Sequence, residues 1–353
     1  MCNTKGRRAA GHTLFFVLLC ALGAQATAQT LNSAEAYFKR GLARLEKGDA
    51  EGALGDFDEC YERFSRLNAD PQTSRIRVLD PRAASALNNR GAAHFLKKEY
   101  ETAIRDFSRA LALNPRQIES LHNRGNARRE SGDLAGALAD YERYLSRQPR
   151  NAAVWHDQGV AHFFLRDWPV ALRDFQRTIE LNPRMAEAWN GCGLTRHELN
   201  RHEEALGDFN QALKRAPRFA GALGNRAITL RALKRYEESL ADFNRVLALD
   251  PRLAELWNNR GSLFATRGEL TAALADYERS LALEPNAVVF RNLGVVHEAL
   301  GKFAEALDDY SRAIELAPQH AEAYAARGGL LRRLGREAEA RRDLAESRWL
   351  RER

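Results

Sequence analysis

The chain has 353 residues, of which 44% are hydrophobic and 29% charged, with a net charge of +7. Lys5, Arg7 and Arg8 supply three of those charges and lie in an acid-free leader. The remainder is close to balance and carries no basic stripe with interleaved aromatics, so nucleic acid is not an expected partner.

Residues 1–28 read as a secretory signal peptide. A basic stretch, Lys5-Gly6-Arg7-Arg8, precedes an apolar run from Leu14 to Leu22, and small-x-small sites follow at Ala24-Gln25-Ala26 and Ala26-Thr27-Ala28. The apolar run is short of the roughly 20 residues that cross a bilayer, so cleavage after Ala26 or Ala28 is expected, with no stable membrane span afterwards. This implies a periplasmic or secreted protein; an uncleaved leader anchored in the inner membrane is the alternative. Leu19 before Cys20 argues against lipidation, which needs a small residue there. Cys60 and Cys192 lie far apart in the repeat order and are expected to be free thiols.

From residue 34 onward the sequence repeats with a period of 34. Unit 1 covers 34–67 and is irregular, and residues 68–83 form an insertion. Units 2 to 6 follow at strict period over 84–253. Unit 7 (254–286) is one residue short, unit 8 is 287–320, and unit 9 (321–353) has a charged second half that reads as a polar cap. Within each unit position 8 is small (Gly41, Gly91, Gly125, Gly159, Gly193, Ala227, Gly261, Gly294, Gly328), and so is position 20. Position 24 is aromatic in eight units, and position 32 is proline in seven. Small residues let two helices approach, the aromatic fills the space between them, and the proline ends the second helix. No single hairpin buries its own apolar faces; stacking does.

These residues resemble the tetratricopeptide repeat family over Ala34–Arg353. The resemblance implies an all-α fold: an α-solenoid, a right-handed superhelix of nine helix-turn-helix units with a groove along its inner side. It also implies a habit of binding proteins or peptides.

Two ladders stand out. Position 23 is aspartate in all nine units, and position 7 is arginine in six: Arg40, Arg90, Arg124, Arg226, Arg260 and Arg327. An arginine on a packed face needs a partner, so these are expected to pair with the aspartates; the position-26 arginine, three residues on in the same helix, is the alternative. The second ladder is asparagine at position 6 (Asn89, Asn123, Asn225, Asn259, Asn292), with Asn190 one residue earlier in unit 5. The resemblance puts position 6 on the groove. An amide offers a donor and an acceptor together, so the row could hold the backbone of an extended segment, with Phe95, Phe163, Val160, Leu194, Ile228 and Val295 as apolar places for its side chains. Lysine is missing from the groove positions that grip a C-terminal acidic tail in the family's carboxylate-clamp members.

No phosphate-cradling glycine loop, nucleophile elbow or zinc motif occurs. No enzyme activity, cofactor or metal is expected. His94, His162 and His297, all at position 11, read as packed rings. The expected function is a scaffold that holds an extended peptide or partner protein in the groove. A structural part of an envelope or secretion assembly, bound through the convex face or the 68–83 insertion, is the alternative.

Overall fold

The computed structural model describes residues 28–66 and 81–352. The signal-peptide reading and residues 68–80 of the insertion lie outside these. The described residues form helices joined by short turns, with no strand among them, and the chain divides into two compact bodies, with the division falling inside the fifth repeat.

The first body holds α1 (Ala28–Glu46), α2 (Ala50–Arg66), α3 (Pro81–Leu96), α4 (Tyr100–Leu113), α5 (Glu119–Ser131), α6 (Leu134–Leu145), α7 (Ala152–Phe164), α8 (Trp168–Leu181) and α9 (Ala186–Glu198). The second holds α10 (His202–Arg215), α11 (Ala220–Ala232), α12 (Tyr236–Leu249), α13 (Ala254–Thr266), α14 (Leu270–Leu283), α15 (Ala287–Ala299), α16 (Phe303–Leu316), α17 (Ala321–Arg333) and α18 (Glu337–Glu352).

Two boundaries differ from the sequence reading. Helix α1 begins at Ala28 rather than Ala34, and α3 begins at Pro81, inside the expected insertion. Proline suits a first helical turn, where the missing N–H would have no partner.

Each body is a row of antiparallel hairpins, as the period requires. The position-24 aromatics from Phe57 to Tyr310 are all buried. Six of them, Phe57, Phe107, Tyr141, Phe175, Tyr277 and Tyr310, lie against the position-8 glycine of the facing helix: a Cβ placed on Gly125 would stand 2.5 Å from Tyr141 Cε1. The turn between the two helices contains one left-handed residue in every repeat. Glycine fills it five times, but Lys98, Arg166, Asn200 and Lys234 adopt it with φ of 60–64°. In the seventh repeat the lost residue is absorbed by Asn286, whose side chain accepts from Val288 N at 2.9 Å and caps α15. Three tryptophans tie each repeat to the one before: Trp155 Nε1 donates to the Pro149 carbonyl, Trp189 to Pro183 and Trp257 to Pro251, at 2.9–3.1 Å.

Within each body the first helices of successive repeats touch one another, α3 with α5 and α13 with α15 among them. Second helices of successive repeats make no such contact among the described residues. The first-helix face is therefore the inner side of each stack.

Candidate functional site

The aspartate ladder is internal. All nine position-23 aspartates are 2–7% exposed, and a buried carboxylate needs a counter-charge. All six position-7 arginines reach the aspartate sixteen residues on, at 2.5–3.0 Å and with two guanidinium nitrogens each. The hydrogen bonds that Arg90 donates to Asp106 raise the pKa of Arg90 above its ordinary value. Among the described residues the alternative partner at position 26 contributes one contact of this kind, Arg245 to Asp242 at 3.9 Å. These charges are a fastening between the two helices of a hairpin.

Position 11 was misread as simple packing. His162 Nδ1 lies 2.7 Å from Asp174 and His297 Nδ1 2.6 Å from Asp309, in two repeats where position 7 is not arginine. Arg44 and Arg128 use the same position to reach Asp56 and Asp140. His94 differs: it binds Glu99 at 2.6 Å and stands 3.9 Å from Asp106. The signal was present in the sequence, because the aspartate persists where Gln158 and Leu293 replace arginine. Histidine is the weaker partner. Burial pushes the carboxyls of Asp174 and Asp309 above the usual range despite these bonds.

The position-6 residues lie on the inner helices, and position 5 of the preceding repeat meets them. Asn123 Nδ2 donates to Asn88 Oδ1 at 3.0 Å, and Asn292 Nδ2 donates to Asn258 Oδ1 at 3.0 Å. In the fourth repeat Asp157 takes the asparagine's place and lies 2.7 Å from His122 Nε2. These rungs join one repeat to the next, and the pattern within a single unit does not reveal them because the two partners lie in different units.

Asn89 and Asn123 are each 1% exposed. Asn89 Oδ1 accepts from Asn88, and its Nδ2 has no partner among the described residues. Asn190, Asn225, Asn259 and Asn292 are half-buried. Phe95 packs on the cluster around Phe107 and meets Tyr100 edge-on at 5.5 Å. Phe163 and Val160 pack on the cluster around Phe175. Leu194 and Ile228 are half-buried, and Val295 is 43% exposed. In the second body, then, amides and apolar side chains with open surface share the inner face.

Around Asp157 the first body concentrates polar groups. Arg129 Nη1 donates to it at 3.1 Å and His156 Nδ1 lies 3.5 Å away. Burial opposes its charge, but the bonds from His122 and His156 together with Arg129 hold its carboxyl well below the usual aspartate range. Cys60 and Cys192 are buried and form no disulfide among the described residues. Among the described residues no helix is long and apolar enough to cross a membrane, and no group of three potential metal ligands forms.

Models of the tetratricopeptide repeat match residues 84–117, 122–163, 156–220, 226–294 and 287–320. The structure is similar to a tetratricopeptide repeat protein from Parabacteroides merdae (TM-score 0.59, 21% identity, 75% of this chain and 99% of that one). It is also similar to a chain of the Cut9–Hcn1 hetero-tetramer of the APC/C (TM-score 0.56, 16% identity, 90% of this chain and 73% of that one). These likenesses concern the fold. No curated protein matches the chain in sequence.

Proposed function

Because the chain belongs to the tetratricopeptide repeat family, we propose that it is a non-enzymatic scaffold that holds an extended protein segment against its first-helix face. Proteins of this family bind proteins or peptides, typically without catalysis. The observation that carries the reading is the inner face of the second body. Asn225, Asn259 and Asn292 recur there at one register, half-buried, and Ile228 and Val295 bring apolar surface beside them. An amide at each repeat can accept from and donate to a peptide backbone without reading its sequence, while the apolar positions receive alternate side chains. Asn292 already donates to Asn258, so it offers its carbonyl oxygen to a ligand.

The leader supports a site of action in a bacterial cell envelope, periplasmic or secreted. Fractionation of cells expressing the full chain, with N-terminal sequencing of the product, tests that point; cytoplasmic recovery with an intact leader refutes it. For the groove, Asn225→Ala, Asn259→Ala and Asn292→Ala are combined and compared with the parent protein by affinity capture from an envelope fraction. Helicity by circular dichroism should be retained and the captured protein lost. Undiminished capture refutes the clamp.

A further inference from the structure

In the first eight repeats, positions 21 and 28 lie on the second helix and are apolar. Position 21 is leucine or isoleucine in all eight, and position 28 in seven, with Tyr61 in the first. These side chains meet the next first helix. Leu111 shares a buried cluster with Leu121 of α5, Leu274 and Leu281 pack beside Val289 and Leu293 of α15, and Leu307 packs beside Leu330 of α17. Helix α18 departs from this pattern. It has Arg341 and Arg348 at the two positions, and both are exposed. Among the described residues α18 touches α17 and no other helix.

The outward face of α18 is basic and flat. With 3.6 residues per turn, Ala338, Arg341, Arg342, Ala345, Arg348 and Trp349 share one side, opposite the buried Ala340, Asp343 and Ser347. Arg341 and Arg348 donate to carbonyls of their own helix at 3.4 Å. None of Arg341, Arg342 and Arg348 has an ion-paired carboxylate among the described residues. The acids of α18 are engaged or set apart. Asp343 holds Arg327 at 2.7 Å, and Glu339, on which Arg342 also acts through space, holds Arg336 at 2.7 Å. Glu346 is half-buried, and Glu337 and Glu352 are exposed at the two ends of the helix. Trp349, next to Arg348, is 46% exposed and lines a shallow hollow with Arg342 and Ala345. A cap that only keeps the stack soluble gains nothing from an exposed indole.

We infer that the outward face of α18 docks on an anionic lipid surface. Guanidiniums take phosphate oxygens through paired, charge-assisted hydrogen bonds, and each cation near an anionic leaflet adds to the attraction. An indole settles at headgroup level, with its ring toward the acyl chains and its N–H toward water. A further repeat, or a second copy stacked end to end, would bury Arg341 and Arg348 where the other repeats bury leucine, and those charges would then need partners. A lipid surface makes no such demand, because its headgroups rearrange around fixed cations and leave them wet. Helix α18 is a second helix, so docking through it leaves the first-helix face open. The inference does not depend on the groove reading above.

The test floats the full chain with vesicles of phosphatidylcholine alone or with about 30% phosphatidylglycerol. The anionic vesicles should retain it about tenfold or more above the neutral ones. That excess should fall as salt rises from about 50 to about 500 mM. Arg341→Gln, Arg342→Gln and Arg348→Gln together should remove it at unchanged helicity. The three corresponding lysine replacements should keep most of it, since attraction to a surface needs the charge more than the planar fork. Phosphatidylglycerol with brominated acyl chains gives a second readout that the leader cannot produce, because residues 1–28 contain no tryptophan. It should quench part of the emission of the parent protein, and that part should be missing in Trp349→Phe. An equal excess in the glutamine variant, or quenching unaltered by Trp349→Phe, overturns the inference and leaves α18 a solubilising cap. Capture on immobilised polyglutamate that the glutamine variant loses, with no retention by anionic vesicles, overturns it in favour of an acidic protein partner.

Discussion

The Arg260–Asp276 pair permits a test in which a second mutation should repair the first. Asp276 is 4% exposed. Its two oxygens take Arg260 Nε and Nη2 at 2.7 Å, and the third nitrogen donates to Asn244 Oδ1 at 2.6 Å. The guanidinium also lies over the Trp257 ring at 4.7 Å. Arg260→Leu copies what the eighth repeat has at this position, Leu293. Alone it strands a buried carboxylate, which should cost about 3–5 kcal/mol. Asp276→Ala alone frees an arginine that keeps Asn244 and some solvent, so about 1–3 kcal/mol is expected. Both changes together replace an ion pair by apolar groups, a nearly neutral exchange in other proteins. The double variant should therefore be more stable than Arg260→Leu alone, which requires a coupling larger than the loss of about 1–3 kcal/mol that Asp276→Ala causes by itself. Urea unfolding followed by circular dichroism reads the totals. Hydrogen exchange over residues 254–284 reads the repeat itself, because repeat arrays need not unfold as one unit. Additive losses, or a loss below about 1 kcal/mol for Arg260→Leu, would show that the pair behaves like a surface ion pair and refute the reasoning.

Lys98, Arg166 and Lys234 hold left-handed backbone that costs a side-chain-bearing residue about 1–2 kcal/mol; changing each to glycine should raise stability by several tenths of a kcal/mol after the entropy of the freer unfolded chain, and a lower melting temperature would contradict this. Gly125→Ala should lower stability by about 1–3 kcal/mol, because its Cβ would meet the packed Tyr141 ring; an unchanged denaturation midpoint would count against the close approach. Asp157 has a depressed folded-state pKa, so its contribution is present above the ordinary aspartate value of about 3.9 and is lost as pH falls through the folded one. Asp157→Asn should accordingly cost about 1.5–3 kcal/mol at pH 7. That gap should shrink below pH 4, and a constant gap across this range would refute the linkage.

The fold could be read because each repeat spells out its own stops. The proline at position 32, the small residue at position 8 and the aromatic at position 24 constrain one hairpin, and repetition separates that pattern from chance. The arginine–aspartate fastening was legible for the same reason, since both partners lie within one repeat at fixed separation. What joins repeats was harder to read. The rung from Asn292 to Asn258 links different units at neighbouring positions, and position 6 alone gives no hint of it. The role of His162 and His297 was hidden because histidine suits both a packed site and a charged one; the aspartate twelve residues on decides between them.

The indole bonds from Trp155, Trp189 and Trp257 to the prolyl carbonyl six residues earlier make each of those joints its own optical gauge. When such a joint opens, the ring gives up its carbonyl acceptor for water, and its emission shifts to the red. A set of variants keeping one tryptophan each would show which seams part first under load or denaturant, and whether a captured segment closes them.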